Sequence, residues 1–282
     1  TTILGESPPP RVLLYWATKF RSDVADVIIR NVDHLRGSGL LCDVLIGHYD
    51  LAKDAWLQRN GSWYSRNVRW GVNARGWKLH VLRFIQKSGR AEGMDLQAYD
   101  WVWMLDEDID VSRTNPIQLF RDAEATGSLI VGPAFVQRNA SQPTVYEQPF
   151  YPMNIPRHGT RFRYVPMVEV IMPILRPAVL LHIFEGDGVL APMHDWGIDH
   201  AWCPLVARSF GRDKFKACAI VDETGPIEHL NFQSTRDVGG KSATRDSGNK
   251  AVEWVRNHFR DDWLMFPTSR LWSWPGYESV PK

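Results

Sequence analysis

Cysteine is scarce in this sequence: three residues in 282, at Cys42, Cys203 and Cys218. The number is odd and the spacing wide, so neither a zinc pattern nor a disulfide framework is expected, and a reducing compartment follows. No run approaches the roughly 18 apolar residues of a membrane span, and no leader pattern is visible. A cytoplasmic location is therefore the expectation, although a chain starting at Thr1 rather than Met leaves room for a removed leader or anchor. Charge of one sign is not in excess. The 33 basic residues face 32 acidic ones, which argues against generic nucleic-acid binding. No Gly-x-Gly-x-x-Gly follows the first expected strand, which disfavours a dehydrogenase-type dinucleotide site. Internal repeats and sustained heptads are missing as well.

What the sequence has in abundance is tryptophan, 13 residues. Such rings fill cores and also stack on flat, partly apolar ligands such as sugars and bases. The length suits one large domain or two small ones. The hydrophobic pattern is α/β. Residues 11–16 read as a strand. Residues 23–37 follow as a helix with Val24, Val27, Ile28 and Val32 on one face, and 40–47 form a second strand. Residues 51–75 show little period and read as a loop with a short helix. A helix is expected over 77–88, and another from Pro116 to about Ala125. The latter has Asn115 as N-cap, Gln118 to close a capping box and Gly127 as the stop. Strands are expected over 129–136, where Pro133 marks an edge or a distortion, and over 216–221. Residues 162–175 alternate imperfectly around Glu169, and 137–164 read as a long loop. Helices are expected over 178–184, 201–210 and 251–259. Residues 233–250 are polar and read as mobile.

The chain is organised around residues 100–110, Asp-Trp-Val-Trp-Met-Leu-Asp-Glu-Asp-Ile-Asp. The apolar run 101–105 has the length of a buried strand. It stops at Asp106, Glu107, Asp108 and Asp110, which are too costly to bury unpaired. A strand end beside a cation answers both constraints. On an extended segment Asp106 and Asp108 point the same way and Glu107 opposes them. Hard oxygen ligands at this spacing suit Mg²⁺ or Mn²⁺. The plain structural reading is a solvated acidic turn. An EF-hand is excluded, because the required Gly and distal Glu are missing.

Two later stretches carry further chemistry. His194-Asp-Trp-Gly-Ile-Asp-His200 leads into an apolar helix. A carboxylate there, Asp195 or Asp199, stays ionised at a helix N-terminus and suits a general base, or else simply caps the helix. His229 follows a short strand beside Glu223 and Glu228. Alone it reads as structural; beside an acidic metal site it reads as a third ligand.

Together these stretches resemble the DUF707 group of glycosyltransferase-like proteins and, more broadly, metal-dependent glycosyltransferases of the GT-A fold. The resemblance is strongest at residues 99–109. It continues at Val168-Glu-Val-Ile-Met-Pro-Ile-Leu-Arg-Pro, Trp196-Gly-Ile-Asp199 and Val221-Asp-Glu. It implies a single GT-A-like (Rossmann-like) domain over 1–282, a central mixed sheet flanked by helices. Residues 1–135 would mainly bind nucleotide-sugar, 136–232 would mainly serve acceptor and catalysis, and 233–282 would form a mobile loop and C-terminal wrap. It implies an Asp-x-Asp metal motif with Asp108 as direct ligand, Asp106 on the donor or the metal, and His229 completing the site. The base would be Asp199, with Asp195 and Glu169 as alternatives. Thr18, Arg21 and Asp50 would meet base and ribose. Lys78, Glu107, Lys241 and Arg245 would complete the donor side, the last two closing over the phosphates. The donor would be a UDP-sugar and the acceptor a glycan hydroxyl, with inversion at the anomeric carbon. Other metal-dependent nucleotide or phosphate enzymes, and a noncatalytic carbohydrate-binding protein, are the competing classes. Asp110 lies beyond the core motif and has no role in this scheme.

Overall fold

The computed structural model describes residues 9–139, 141–142, 144–147, 152–185 and 197–232, with positions 250, 253, 257 and 279–281 besides. In chain order the elements are β1 (Arg11–Thr18), α1 (Ser22–Gly37), β2 (Leu41–His48), α2 (Lys53–Asn67), β3 (Trp70–Asn73) and α3 (Lys78–Ser88). Then come β4 (Trp101–Leu105), β5 (Ile109–Asp110), α4 (Pro116–Thr126), β6 (Ile130–Pro133), β7 (Val136–Arg138) and β8 (Tyr146–Glu147). The remainder is β9 (Thr160–Tyr164), β10 (Ile174–Leu175), α5 (Pro177–Glu185), α6 (Ile198–Ser209), β11 (Cys218–Val221), β12 (Glu228–His229) and β13 (Ser279–Pro281).

The expected central mixed sheet flanked by helices is present. Its order is β13-β9-β11-β6-β10-β4-β1-β2-β3, and a smaller sheet runs β5-β12-β7-β8. β1 pairs in parallel with both β2 and β4, and β10 inserts antiparallel between β4 and β6. Strands covered on both faces need apolar residues at every position. Residues 12–16 and 101–105 meet that need and are fully buried. The two-residue period then divides them between two cores. Val12, Leu14, Trp16, Trp101 and Trp103 pack with Val24, Ile28 and Val32 of α1. Leu13, Tyr15, Val102 and Met104 pack with α3, α5 and α6 on the other side. Gly47 allows α3 to approach closely, since a Cβ there would lie 2.6 Å from Val81.

Some expectations need correction. Residues 53–67 form a full helix, kinked at Asn60, where a loop and short helix were expected. Only Trp56 and Tyr64 of this helix are buried, too few to print a helical period on the sequence. Pro133 marks the distortion and not the edge: it ends β6, which lies between β10 and β11, and the chain then passes into β7 of the smaller sheet. The capping box at Asn115 is half-formed. Asn115 Oδ1 accepts from the Gln118 amide at 3.1 Å, but the Gln118 side chain donates to Asp122. Cysteine is the largest departure. Cys203 of α6 and Cys218 of β11 form a disulfide, with Cα atoms 5.8 Å apart, and both are buried. Wide spacing in sequence hid a pair that the fold brings together. The long loop before β9 is held by a buried ion pair: Arg163 donates to Asp222 at 2.7 Å and to the carbonyls of Met153 and Ile155, and the Arg157 amide donates to Asp222.

His194, Asp195, Lys241, Arg245 and the aromatic residues from Trp263 to Tyr277 lie outside the described residues. No helix among the described residues is long and apolar enough to cross a membrane.

Candidate active site

Parallel pairing places the ends of β1, β2 and β4 side by side: Trp16 faces Leu105, and Thr18 faces His48. The loops after these strands therefore share one edge of the sheet. β10 runs the other way, so the segment before it reaches the same edge. The Met104 amide donates to the Pro173 carbonyl and the Asp106 amide to the Ile171 carbonyl, at 3.0 and 2.9 Å. β12 pairs antiparallel with β5, and the Leu230 amide donates to the Asp108 carbonyl at 2.8 Å. The acidic turn is thus brought together with Glu169 and His229.

The four acidic side chains have different tasks. Asp106 Oδ1 is held by the Lys78 ammonium at 2.5 Å. Desolvation raises its carboxyl above the ordinary value, with Lys78 opposing and Asp108 adding to the rise. Glu107 faces inward. Its Oε2 accepts from the Thr18 hydroxyl and the Lys19 amide at 3.0 and 2.9 Å, and its Oε1 accepts from the Tyr49 hydroxyl at 3.1 Å. It ties the ends of β1 and β2 to the turn. Asp108 Oδ2 lies 3.2 Å from His229 Nε2 and accepts from the Phe232 amide at 3.0 Å. Burial works against its ionisation, but His229 and that amide outweigh burial and leave the carboxyl below its ordinary value. Burial likewise opposes protonation of His229, yet Asp108 and Asp106 raise the imidazole. Asp110 now has an account: it pairs with Arg30 at 2.7 Å and accepts from the Ser112 amide and hydroxyl, fastening α1 to the turn.

Glu169 and Asp199 form the other half of the site. Asp199 lies in the first turn of α6, where Gly197 adopts φ 98° to begin the helix. Both carboxyls are buried. Desolvation, with Asp199 nearby, pushes Glu169 up to about 8. Desolvation also raises Asp199, against hydrogen bonds from the Val170 and His200 amides. Glu169 Oε2, Asp199 Oδ1 and His229 Nδ1 are buried and have no hydrogen-bond partner among the described residues. Buried polar atoms without partners are rare and call for a reason; a ligand or ion at this edge supplies one.

Of the remaining expected donor contacts, Arg21 pairs with Asp23 and its guanidinium lies over the Phe232 ring, 5.4 Å from the centroid. Asp50 accepts from the Phe20 and Ala52 amides at 2.7 and 3.0 Å. Thr18 is fully buried and committed to Glu107. Sequence reading missed Tyr49 and Phe232. Neither belongs to a motif, and each reaches the site only through folding.

A divalent cation fits part of this set. Two ligands in adjacent positions on one ion, each about 2.1 Å from it, stand about 3 Å apart. The Asp108–His229 pair, at 3.2 Å, meets that spacing. Among the described residues no group of three or more His, Cys, Asp or Glu side chains is arranged to hold a metal. The carboxylate suits Mn²⁺ or Mg²⁺ with water in the open positions, and the imidazole favours the transition ion of the two.

No protein-family model matches the chain, and the search of curated protein sequences found no match. Among solved structures, two crystal structures of S. aureus TarS overlap with it. One does so at a TM-score of 0.47 and 8% identity over 89% of this chain; the other, TarS 1-349, at 0.45 and 11% over 93%. The chain spans 44% of the first TarS chain, less than half its length, and 77% of the second. Overlap at this level carries neither chemistry nor substrate from TarS to this chain.

Proposed function

We propose that this chain transfers a sugar from a nucleotide-diphospho-sugar, in the first instance a UDP-sugar, to a hydroxyl of a glycan, with Mn²⁺ or Mg²⁺ held by Asp108 and His229. The observation that carries this reading is the gathering of Asp106, Asp108, Glu169, Asp199 and His229 at one sheet edge, with three buried polar atoms left without partners. The cation, when bound, supplies positive charge for a diphosphate leaving group. The choice of UDP rests on the family resemblance.

The chain's own residues would divide the remaining work. Asp199 takes the acceptor's proton. The Val170 and His200 amides and the N-terminus of α6 favour its ionised form. Glu169 keeps its proton at neutral pH, so it sits beside Asp199 without adding a second charge. Attack on the face opposite the leaving group inverts the anomeric carbon. The edge at Arg21, Tyr49 and Asp50 is where base and ribose would lie. Lys241 and Arg245 keep their proposed role of closing over phosphate, and Asp195 remains the alternative base. The Cys203–Cys218 bridge favours an oxidising compartment over the cytoplasm.

The test incubates the full chain with UDP-sugars, Mn²⁺ and oligosaccharide acceptors, and reads UDP release and product stereochemistry by NMR. Release that stops with chelator, an inverted product, and loss of transfer with retained donor binding in Asp199→Asn support the reading. Metal-dependent phosphate release with no sugar transferred would place the chain among nucleotide hydrolases instead.

A further inference from the structure

Lys78 is the first residue of α3. A cation there meets the positive end of the helix dipole. This helix has no acidic residue in its first turn and no side-chain N-cap to offset it. The ammonium is also buried, which is costly without partners. Helix stability therefore gives no reason for a lysine at this position; its contacts do. The Nζ group donates to Asp106 Oδ1 at 2.5 Å, to the Val170 carbonyl at 2.5 Å and to the Ile171 carbonyl at 3.0 Å. An ammonium has three N–H donors, and all three are in use. Because the Asp106 amide already donates to the Ile171 carbonyl, the acidic turn and the segment after Glu169 are joined twice, once by backbone and once through Lys78.

We propose that Lys78 is a positioning residue: an internal cation that locks Asp106 to the 169–171 segment and keeps Asp106 out of the coordination shell of the ion held by Asp108 and His229. The second half rests on the cation reading above; the first half stands without it. Taking away the ammonium frees a carboxylate beside a two-residue ion site. It also removes a positive charge from a cluster that contains Asp106, Asp108 and Asp199. Both effects strengthen cation binding while loosening the segment that carries Glu169.

The test uses the full chain and Mn²⁺ alone, with free Mn²⁺ read by electron paramagnetic resonance. Lys78→Met is expected to bind Mn²⁺ about tenfold tighter than wild type, the scale of effects from groups just outside a metal's ligands. Asp106→Asn should weaken binding through its lost charge but by much less than Asp108→Asn, and adding it to Lys78→Met cancels the gain. Lys78→Met binding no tighter than wild type, or Asp106→Asn binding as poorly as Asp108→Asn, overturns the shielding of Asp106. Amide exchange in chelator reads the positioning role separately. Lys78→Met should speed exchange at Asp106 and over 169–171 while leaving β1 at its wild-type rate; unchanged protection at 169–171 overturns it. Lys78→Gln, which keeps donors but no charge, replaces Lys78→Met if that variant does not fold. A wild-type chain that binds no Mn²⁺ overturns the cation assignment, and the exchange measurement still decides the positioning role.

Discussion

His229 Nε2 stands 3.2 Å from Asp108 Oδ2, although one closes the acidic turn after β4 and the other ends β12. The contact extends the β5–β12 pairing of the smaller sheet into the turn after β4, and the Phe232 amide fixes the same carboxylate oxygen. As a shared cation site it predicts that His229→Ala, which removes a ligand itself, weakens Mn²⁺ binding by about a hundredfold or more, at or beyond the upper end of effects from groups just outside the ligands. A titration of Mn²⁺ into wild type and variant checks this. Equal affinities would make the contact a structural ion pair only.

Glu169 gives a pH dependence with a definite sign. Its folded-state value is about 8, against an ordinary 4.5. Between those limits the folded chain holds a proton that the unfolded chain releases, so stability from this group is fully present below pH 4.5 and lost as pH rises toward 8. The loss is on the order of a few kcal/mol. Glu169→Gln should match wild type in acid and melt higher than wild type near pH 8, measured in chelator. Parallel melting curves across this range would contradict the assignment.

The Cys203–Cys218 bridge closes a loop of 15 residues in sequence. A loop of that size is worth about 3 kcal/mol in the chain-entropy account. Reductant should lower the melting temperature of wild type and leave Cys203→Ser/Cys218→Ser unaffected. The unfolded, unreduced chain should show one free thiol, Cys42. Three free thiols would mean that the bridge does not form.

Arg163 and Asp222 are both fully buried as an ion pair. Asp222→Asn leaves the guanidinium charge in the interior, which should cost about 3–5 kcal/mol. Urea unfolding reads this directly. Arg163→Met/Asp222→Leu should cost less than the single change, since it leaves no orphan charge.

Much of this architecture is legible in the sequence, for physical reasons. Strands 11–18 and 101–105 are covered on both faces and so carry continuous apolar runs. Helix α4 shows its start and stop because Asn115 caps it and Gly127 adopts φ 65°. Helix α2 was illegible because little of it is buried. The acidic turn, Asp199 and His229 are visible as residues, but the division of labour among the carboxylates is not. Glu107 reads as a donor contact and Asp110 has no role until their hydrogen bonds are traced to Thr18, Tyr49, Ser112 and Arg30. The disulfide and the lysine on Asp106 are long-range pairings with no local pattern at all.

The most direct measurement is nucleotide-sugar binding to the full chain with Mn²⁺ present and then removed by chelator, followed by calorimetry. At least one UDP-sugar should bind with Mn²⁺, lose its affinity on chelation, and fail to bind Asp108→Asn that is otherwise folded. If no nucleotide-sugar binds in a metal-dependent way, or Asp108→Asn binds as wild type does, the account of this sheet edge as a sugar-transfer site is contradicted.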